Sequence, residues 1–323
     1  MIRMDSMRRG ARRSLRREAR RRRSAALSAV VGMVAGGAAA EDGAIEIHQI
    51  RALAGSVVPG DAPGFPVTIG RSGRYRLTSN LVVSSPGISA IRVDAPDVVL
   101  DLNGFSIEGP NVCTGEGETL DCGPIGSANG VFATQENVVV RNGTLRGFSS
   151  NGASFASGFR AIDLFLTENA IHGLSSSGDG EVQGCVAFRN GFAGLSPGRR
   201  SNLLHNVASG NGTNGIQAAQ GTRIVGNSLW QNGGRGISLA NSGLSGGLVE
   251  HNAVVDNGGD GMLIGDGVLA ISNSIRANGG NGLSVVLGAA YGYNNVRANG
   301  GITITVTGGD VASNVCEGNL SCP

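Results

Sequence analysis

Apolar residues along the second half of this chain do not recur at the helical spacing of 3.6. They fall singly or in short alternating runs, and each run returns after 21 residues. One column reads Val182, Leu203, Ile224, Val249 and Ala270. A second reads Ala187, Ala208, Leu229, Val254, Ile275 and Val296. A third reads Leu195, Ile216, Ile237, Met262 and Leu283. Alternation with polar neighbours marks each run as a short strand with one buried face. Each unit therefore holds about three short strands separated by tight turns, with no room for a helix.

The polar positions keep the same beat. "NGFAGL" (190–195), "NGTNGI" (211–216), "NGGRGI" (232–237), "NGGDGM" (257–262) and "NGGNGL" (278–283) place their second Gly at 194, 215, 236, 261 and 282. "NAIHGL" sets Gly173 one period earlier, and the single longer step takes in "NSGLSGG" (241–247). Five residues before the first Asn of each hit stands another column: Cys185, Asn206, Asn227, Asn252 and Asn273, continued by Asn294 and Asn314. Three strands and three turns per 21 residues make one coil of an all-β parallel β-helix of about ten coils. Like residues then stack at the inter-strand spacing, about 4.8 Å. Asn amides in such a stack donate to and accept from their neighbours, so Asn206, Asn227, Asn252, Asn273 and Asn294 are read as rungs of a ladder. The Gly beside them answers a need for positive φ or for close backbone approach. Cys185 holds the rung before the Asn run and Leu164 the one before that, so the thiol is read as a boundary between apolar packing and amides.

Other repeats fail on period. A leucine-rich repeat needs its own leucine spacing, a left-handed hexapeptide helix counts in sixes, and "GGDGML" (258–263) has Leu263 where a calcium nonapeptide has Asp. Upstream, "ISAIRVDAPDVVLDLNGFSIEG" (88–109) and "ANGVFATQENVVVRNGTLRGF" (128–148) align as two wider coils. Between them residues 110–127 are an inserted loop, closed by Cys113 and Cys122. Residues 41–87 are read as N-terminal cap and first coil. Residues 300–323 are a degraded last coil and cap, closed by Cys316 and Cys322.

Composition sharpens this picture in three ways. Gly is 55 of 323 residues, more than double the usual ~7%, which suits a turn-dense solenoid. The net charge of +2 hides two opposed segments: eleven Arg lie in residues 1–40, and the remaining 15 Arg face 22 acids. An acidic body argues against nucleic acid as partner. Residues 1–40 also carry an Arg-rich start, the apolar run "SAALSAVVGMVAGGAAA" (24–40) and small residues before Glu41, the parts of a secretory signal. The expectation is an exported single β-helix domain over 41–323, secreted, periplasmic or at the cell surface. No membrane contact is expected once the signal is removed. Paired cysteines agree with an oxidising compartment. The oligomeric state is not readable.

The repeated Asn-x-(Val/Ser/Ala)-x-x-Asn-Gly-x-x-Gly-(Ile/Leu) unit and the entry coil "VVLDLNGFSI" resemble right-handed parallel β-helix repeat proteins of the pectin-lyase-like superfamily, over about residues 75–320. The resemblance implies a fold shared by pectate and alginate lyases, polygalacturonases, alginate epimerases, phage tailspikes and periplasmic copper-maturation relatives. The Asn-Thr-Asp, Asp-Asp and Gly-His-Gly motifs of polygalacturonases and the Asp-Pro-His of epimerases are absent. "YGYNN" (291–295) is similar only to the start of the epimerase motif. No catalytic residue is assigned. The polar members of two columns remain as candidates for polysaccharide binding. Trp230, the only Trp, could stack on a sugar, and Arg235, Arg276 and Arg297 could grip uronate carboxylates, with Asp260 beside Arg235. A binding scaffold leads, with a lyase using these Arg and Asp260 beneath the 110–127 loop, or a rigid adhesion rod, as alternatives. His205 and His251 share a column two coils apart, too far for one metal ion, and no metal or cofactor is expected. Asp94, Asp97 and Asp101 on one entry coil are better explained by turns and caps, which leaves calcium unsupported.

Overall fold

The computed structural model describes residues 43–55, 57–239, 246–306, 309–310 and 312–317. The signal-like segment and Cys322 lie outside them. Every strand ladder between successive coils is parallel, and the strands form a 21-stranded and an 11-stranded sheet. Each coil contributes one strand to the smaller sheet, so the solenoid has about eleven turns.

One coil shows the construction. Strand Glu181–Gln183 pairs with Asn202–Leu204, Val186–Phe188 with Val207–Ser209, and Leu195–Ser196 with Ile216–Gln217. The first two strands of each coil belong to the larger sheet and the third to the smaller one. The three apolar columns point inward: Val182, Ala187, Leu195 and their successors are fully buried. The core is one continuous stack of Val, Ile, Leu and Ala, joined near the entry end by Tyr75, Phe148 and Phe159. A short helix, Gln49–Ala54, follows the first strand, Ile45–Ile47.

Two corners of each coil are built on Asn. In the first, the Asn206 side chain Nδ2 donates to Asn227 Oδ1 (3.0 Å) and to the Val182 carbonyl (2.9 Å), and its backbone N–H donates to the same Asn227 Oδ1 (2.8 Å). The pattern repeats through Asn227, Asn252, Asn273 and Asn294 to Asn314. The second corner carries a parallel ladder from Asn169 through Asn190, Asn211, Asn232, Asn257 and Asn278 to Asn299. Each interior rung has both amide protons and both oxygen lone pairs engaged. That is why a buried polar column is tolerated inside an apolar stack.

The left-handed backbone is not where the glycine pattern places it. The residue immediately before each Asn takes positive φ, as at His205 (56°), Gln231 (54°) and Asp256 (56°). For a side-chain-bearing residue this conformation costs about 1 kcal/mol or more, and the ladder over-determines it. The glycines after the Asn serve close approach instead. A Cβ on Gly212 would stand 2.2 Å from the Gly191 carbonyl oxygen, and one on Gly236 2.8 Å from that of Gly261.

Cys185 caps the first ladder. Its N–H donates to Asn206 Oδ1 (2.9 Å), and its thiol reaches the Ala161 and Gln183 carbonyls (3.5 Å each). It is a free thiol, fully buried.

Candidate functional site

The five candidate residues divide between two columns on different parts of the coil. Trp230 ends strand Ser228–Trp230, Arg276 ends Ser274–Arg276 and Arg297 ends Asn295–Arg297. Strand registry sets them in one outward line, Phe188, Ser209, Trp230, Val255, Arg276 and Arg297. Trp230 is 42% exposed, and both Arg are exposed. Arg276 lies directly opposite Arg297. Among the described residues neither makes an ion pair. Elsewhere an Arg meets a carboxylate one coil away: Arg141 with Asp101 (2.9 Å), Arg146 with Glu108 (2.7 Å), Arg160 with Glu181 (2.9 Å) and Arg200 with Asp179 (2.6 Å).

Arg235 and Asp260 stand at the corner leading into the smaller sheet. Arg235 Nε donates to Asp260 Oδ2 at 3.2 Å. Asp260 also accepts from the Asn281 N–H (2.8 Å) and the Ser284 hydroxyl (3.3 Å). Their column has an architectural logic that spacing alone did not reveal. Asn151 Oδ1 accepts the N–H of His172, His172 Nδ1 that of Ala193, Asn214 Oδ1 that of Arg235, and Asn281 Oδ1 that of Ile302. Each acceptor caps the same position one coil on, which is why Asn, Asp and His interchange there. Burial holds the His172 imidazole below its ordinary value, and the bond to Ala193 requires a neutral ring. The shared acceptor chemistry was the signal available in the sequence.

The inserted loop climbs the second Asn corner. The Asn111 N–H donates to the Gly147 carbonyl (2.9 Å), and Asn111 Nδ2 holds the Cys122 and Pro124 carbonyls. A disulfide joins Cys113 and Cys122 and lies against the Arg189 carbonyl, with sulfur–oxygen distances of 3.4 and 3.6 Å. Cys113, Cys122, Leu120 and Ala170 form a second small core. The tip, a 3-10 turn over Gly117–Thr119, sits on Gly233, where a Cβ would stand 2.7 Å from the Glu118 nitrogen. From Gly147 to Gly233 the loop spans four coil steps, about 19 Å at the inter-strand spacing. It leaves a cleft of about 520 Å³ between its tip and the coils. Cys316 is also disulfide-bonded, and its expected partner Cys322 lies outside the described residues.

Among the described residues no group of three or more His, Cys, Asp or Glu side chains could hold a metal ion. His205 sits at its corner over Gly226, where a Cβ would meet its Nδ1 at 2.6 Å, and His251 Nδ1 faces Glu250 at 3.3 Å. Asp94 pairs with Arg92 (2.7 Å), Asp97 bonds Asn137, and Asp101 pairs with Arg141, so the entry-coil acids are engaged in turns and ion pairs. Among the described residues no helix is long and apolar enough to cross a membrane.

Comparison with solved structures finds the same fold. The A-module of the mannuronan C-5 epimerase AlgE6 of Azotobacter vinelandii is 17% identical, with 72% of this chain and 71% of that chain covered and a TM-score of 0.53. A double mutant of the periplasmic alginate epimerase AlgG is 12% identical, with 76% and 75% covered and a TM-score of 0.54. Among curated proteins none matches the chain. The family described as periplasmic copper-binding protein (NosD) matches residues 111–299, from the inserted loop to the last rung of the second ladder. With more than half of its length matched and a right-handed β-helix built on paired Asn ladders, the chain belongs to the NosD family.

Proposed function

We propose that the protein is an exported β-helix scaffold that binds an acidic polysaccharide along the outward line from Trp230 to Arg297. The observation that supports this most directly is the stacking of Arg276 on Arg297, neither of which makes an ion pair among the described residues. Like charges directly opposite on a sheet are destabilising, and the fold gains nothing from them. A ligand carboxylate set between two guanidinium groups would reverse that cost through charge-assisted bonds. Trp230, two coils away and exposed, offers a stacking face for a sugar ring. Arg235 and Asp260 neutralise one another and serve the corner, so they contribute to the shape of the coil rather than to the grip. That structural neighbours are alginate and mannuronan epimerases agrees with a carbohydrate ligand. The signal-like residues 1–40, the disulfide and the periplasmic description of the family support export.

The family description also names copper. The described residues do not fit that reading: they bring together no cluster of His, Cys, Asp or Glu, and Cys185 and Met262 are buried in the core. No step is assigned to copper here.

Titration with a polyuronate chain tests the proposal. Wild type should bind, and the Arg276→Ala/Arg297→Ala double variant should bind at least about tenfold more weakly. Trp230→Ala should weaken binding without abolishing it, and added salt should weaken wild-type binding. Absence of wild-type binding would overturn the reading. Accumulation of unsaturated product would replace it with a lyase.

A further inference from the structure

The cleft beneath the inserted loop runs beside the same outward line, from the coil of Phe188 to that of Asp256. Phe188, the first member of that line, forms part of its floor. Its ring lies over Gly210, where a Cβ would meet the ring edge at 3.4 Å, so the absent side chain keeps the ring face clear across the next coil. Glu116 and Glu118 enter from the loop tip, and Gln231 and Asp256 from the Asn corner. Gln231 Nε2 donates to Asp256 Oδ2 at 3.3 Å, which orients that carboxylate. Arg189 lines the cleft too, yet among the described residues it makes no ion pair. The cavity is held open by construction, because the disulfide rests on the Arg189 carbonyl on one side and the loop tip rests on Gly233 on the other.

A cavity of this volume holds a ligand of one or two sugar rings. Its chemistry differs from that of the Arg276–Arg297 end: an aromatic floor, three carboxylates and one guanidinium. We propose that the cleft is a binding site for an amino sugar carrying a free ammonium group. In an oligomer of such sugars one ring would stack on Phe188, and the ammonium of a ring farther along would donate to Glu118 and to Asp256, three coil steps or about 14 Å from Phe188. No metal needs to mediate, since these acids do not converge as a metal cluster. Phe188 and Arg297 are five coil steps apart in the line, about 24 Å at the inter-strand spacing. The inference goes beyond the acidic-polysaccharide reading and does not depend on it.

The test is calorimetric titration of the full chain with a glucosamine hexamer and with its N-acetylated counterpart, which has the same rings and no charge. The glucosamine hexamer should bind, and the acetylated one at least about tenfold more weakly, as for loss of a charge-assisted bond. Glu118→Gln/Asp256→Asn should cut glucosamine binding by a similar factor. Both side chains are exposed, and the amides keep their shape, so the loss reads the charge and not the fold. Arg276→Ala/Arg297→Ala, which decides polyuronate binding, should not weaken glucosamine binding, because it removes positive charge in the coil next to Asp256. Equal affinity for the two hexamers, no binding of glucosamine, or an unaffected carboxylate variant would each overturn the proposal.

Discussion

At the scale of single residues, the side chains that matter most to this fold are amides that bond from one coil to the next. Asn252 takes two bonds at its Oδ1, from the Asn227 N–H and Nδ2, and its own Nδ2 gives one to Asn273 and one to the Ile224 carbonyl. Asn252→Leu orphans buried partners in both neighbouring coils, so it should cost roughly 2–4 kcal/mol at about 1–3 kcal/mol per buried unsatisfied group. A urea denaturation midpoint measures this, and a neutral result would contradict the ladder's energetic role. Cys185 offers a second check. Burial pushes its thiol up to about 12 from an ordinary 9.0. The folded state therefore holds its proton more tightly than the unfolded one, and the stability linked to it is complete below pH 9 and falls as pH rises toward 12. Cys185→Ala should lose less stability than wild type between pH 8 and pH 10.5 in paired urea melts. Maleimide should label Cys185 only after unfolding.

The individual elements divide into those that follow the 21-residue beat and those that leave it. The strands and ladder corners were legible in the sequence because a solenoid writes its long-range contacts as a local period. Val182 above Leu203 above Ile224 is both a list of positions and a list of contacts. The second Asn ladder and the left-handed residue before each rung share that period, but residues as unlike as Gln231, Asp256 and Ala277 adopt the same φ, and composition hides it. The inserted loop was legible only as an insertion. Its partners at Arg189 and Gly233 lie coils away from where it leaves the stack, and no repeat encodes that climb. Spacing set Arg235 and Asp260 in a different column from Trp230, Arg276 and Arg297, but it did not show that the first column caps backbone N–H groups of the next coil. The loop's disulfide closes a short segment, so it contributes mainly local order. Cys113→Ser/Cys122→Ser should leave the global melting transition nearly unchanged while exposing residues 114–121 to proteolysis. Limited digestion followed by mass spectrometry reads both outcomes.

For the molecule as a whole, stability is spread along one dimension. Each coil meets mainly its two neighbours, so cooperativity runs along the axis rather than around a central core. The same geometry turns the surface into ordered lines. Residues spaced 21 apart become a ruler with marks every ~4.8 Å, suited to an extended polymer.

One irregularity in that ruler has a consequence of its own. The step from Asn227 to Asn252 is 25 residues, yet the amide bond between them is 3.0 Å, as it is on either side. In the sequence the extra residues fall between strand Ile237–Leu239 and strand Gly247–Glu250, not at either Asn corner. Among the Asn-laddered coils the added residues thus fall at the seam that carries no amide rung. New sequence, such as a peptide tag or a second recognition loop, should be tolerated there without disturbing registry. The scaffold is in this sense already an engineering chassis, with an insertion port marked where the ladder count lengthens and the rungs still meet.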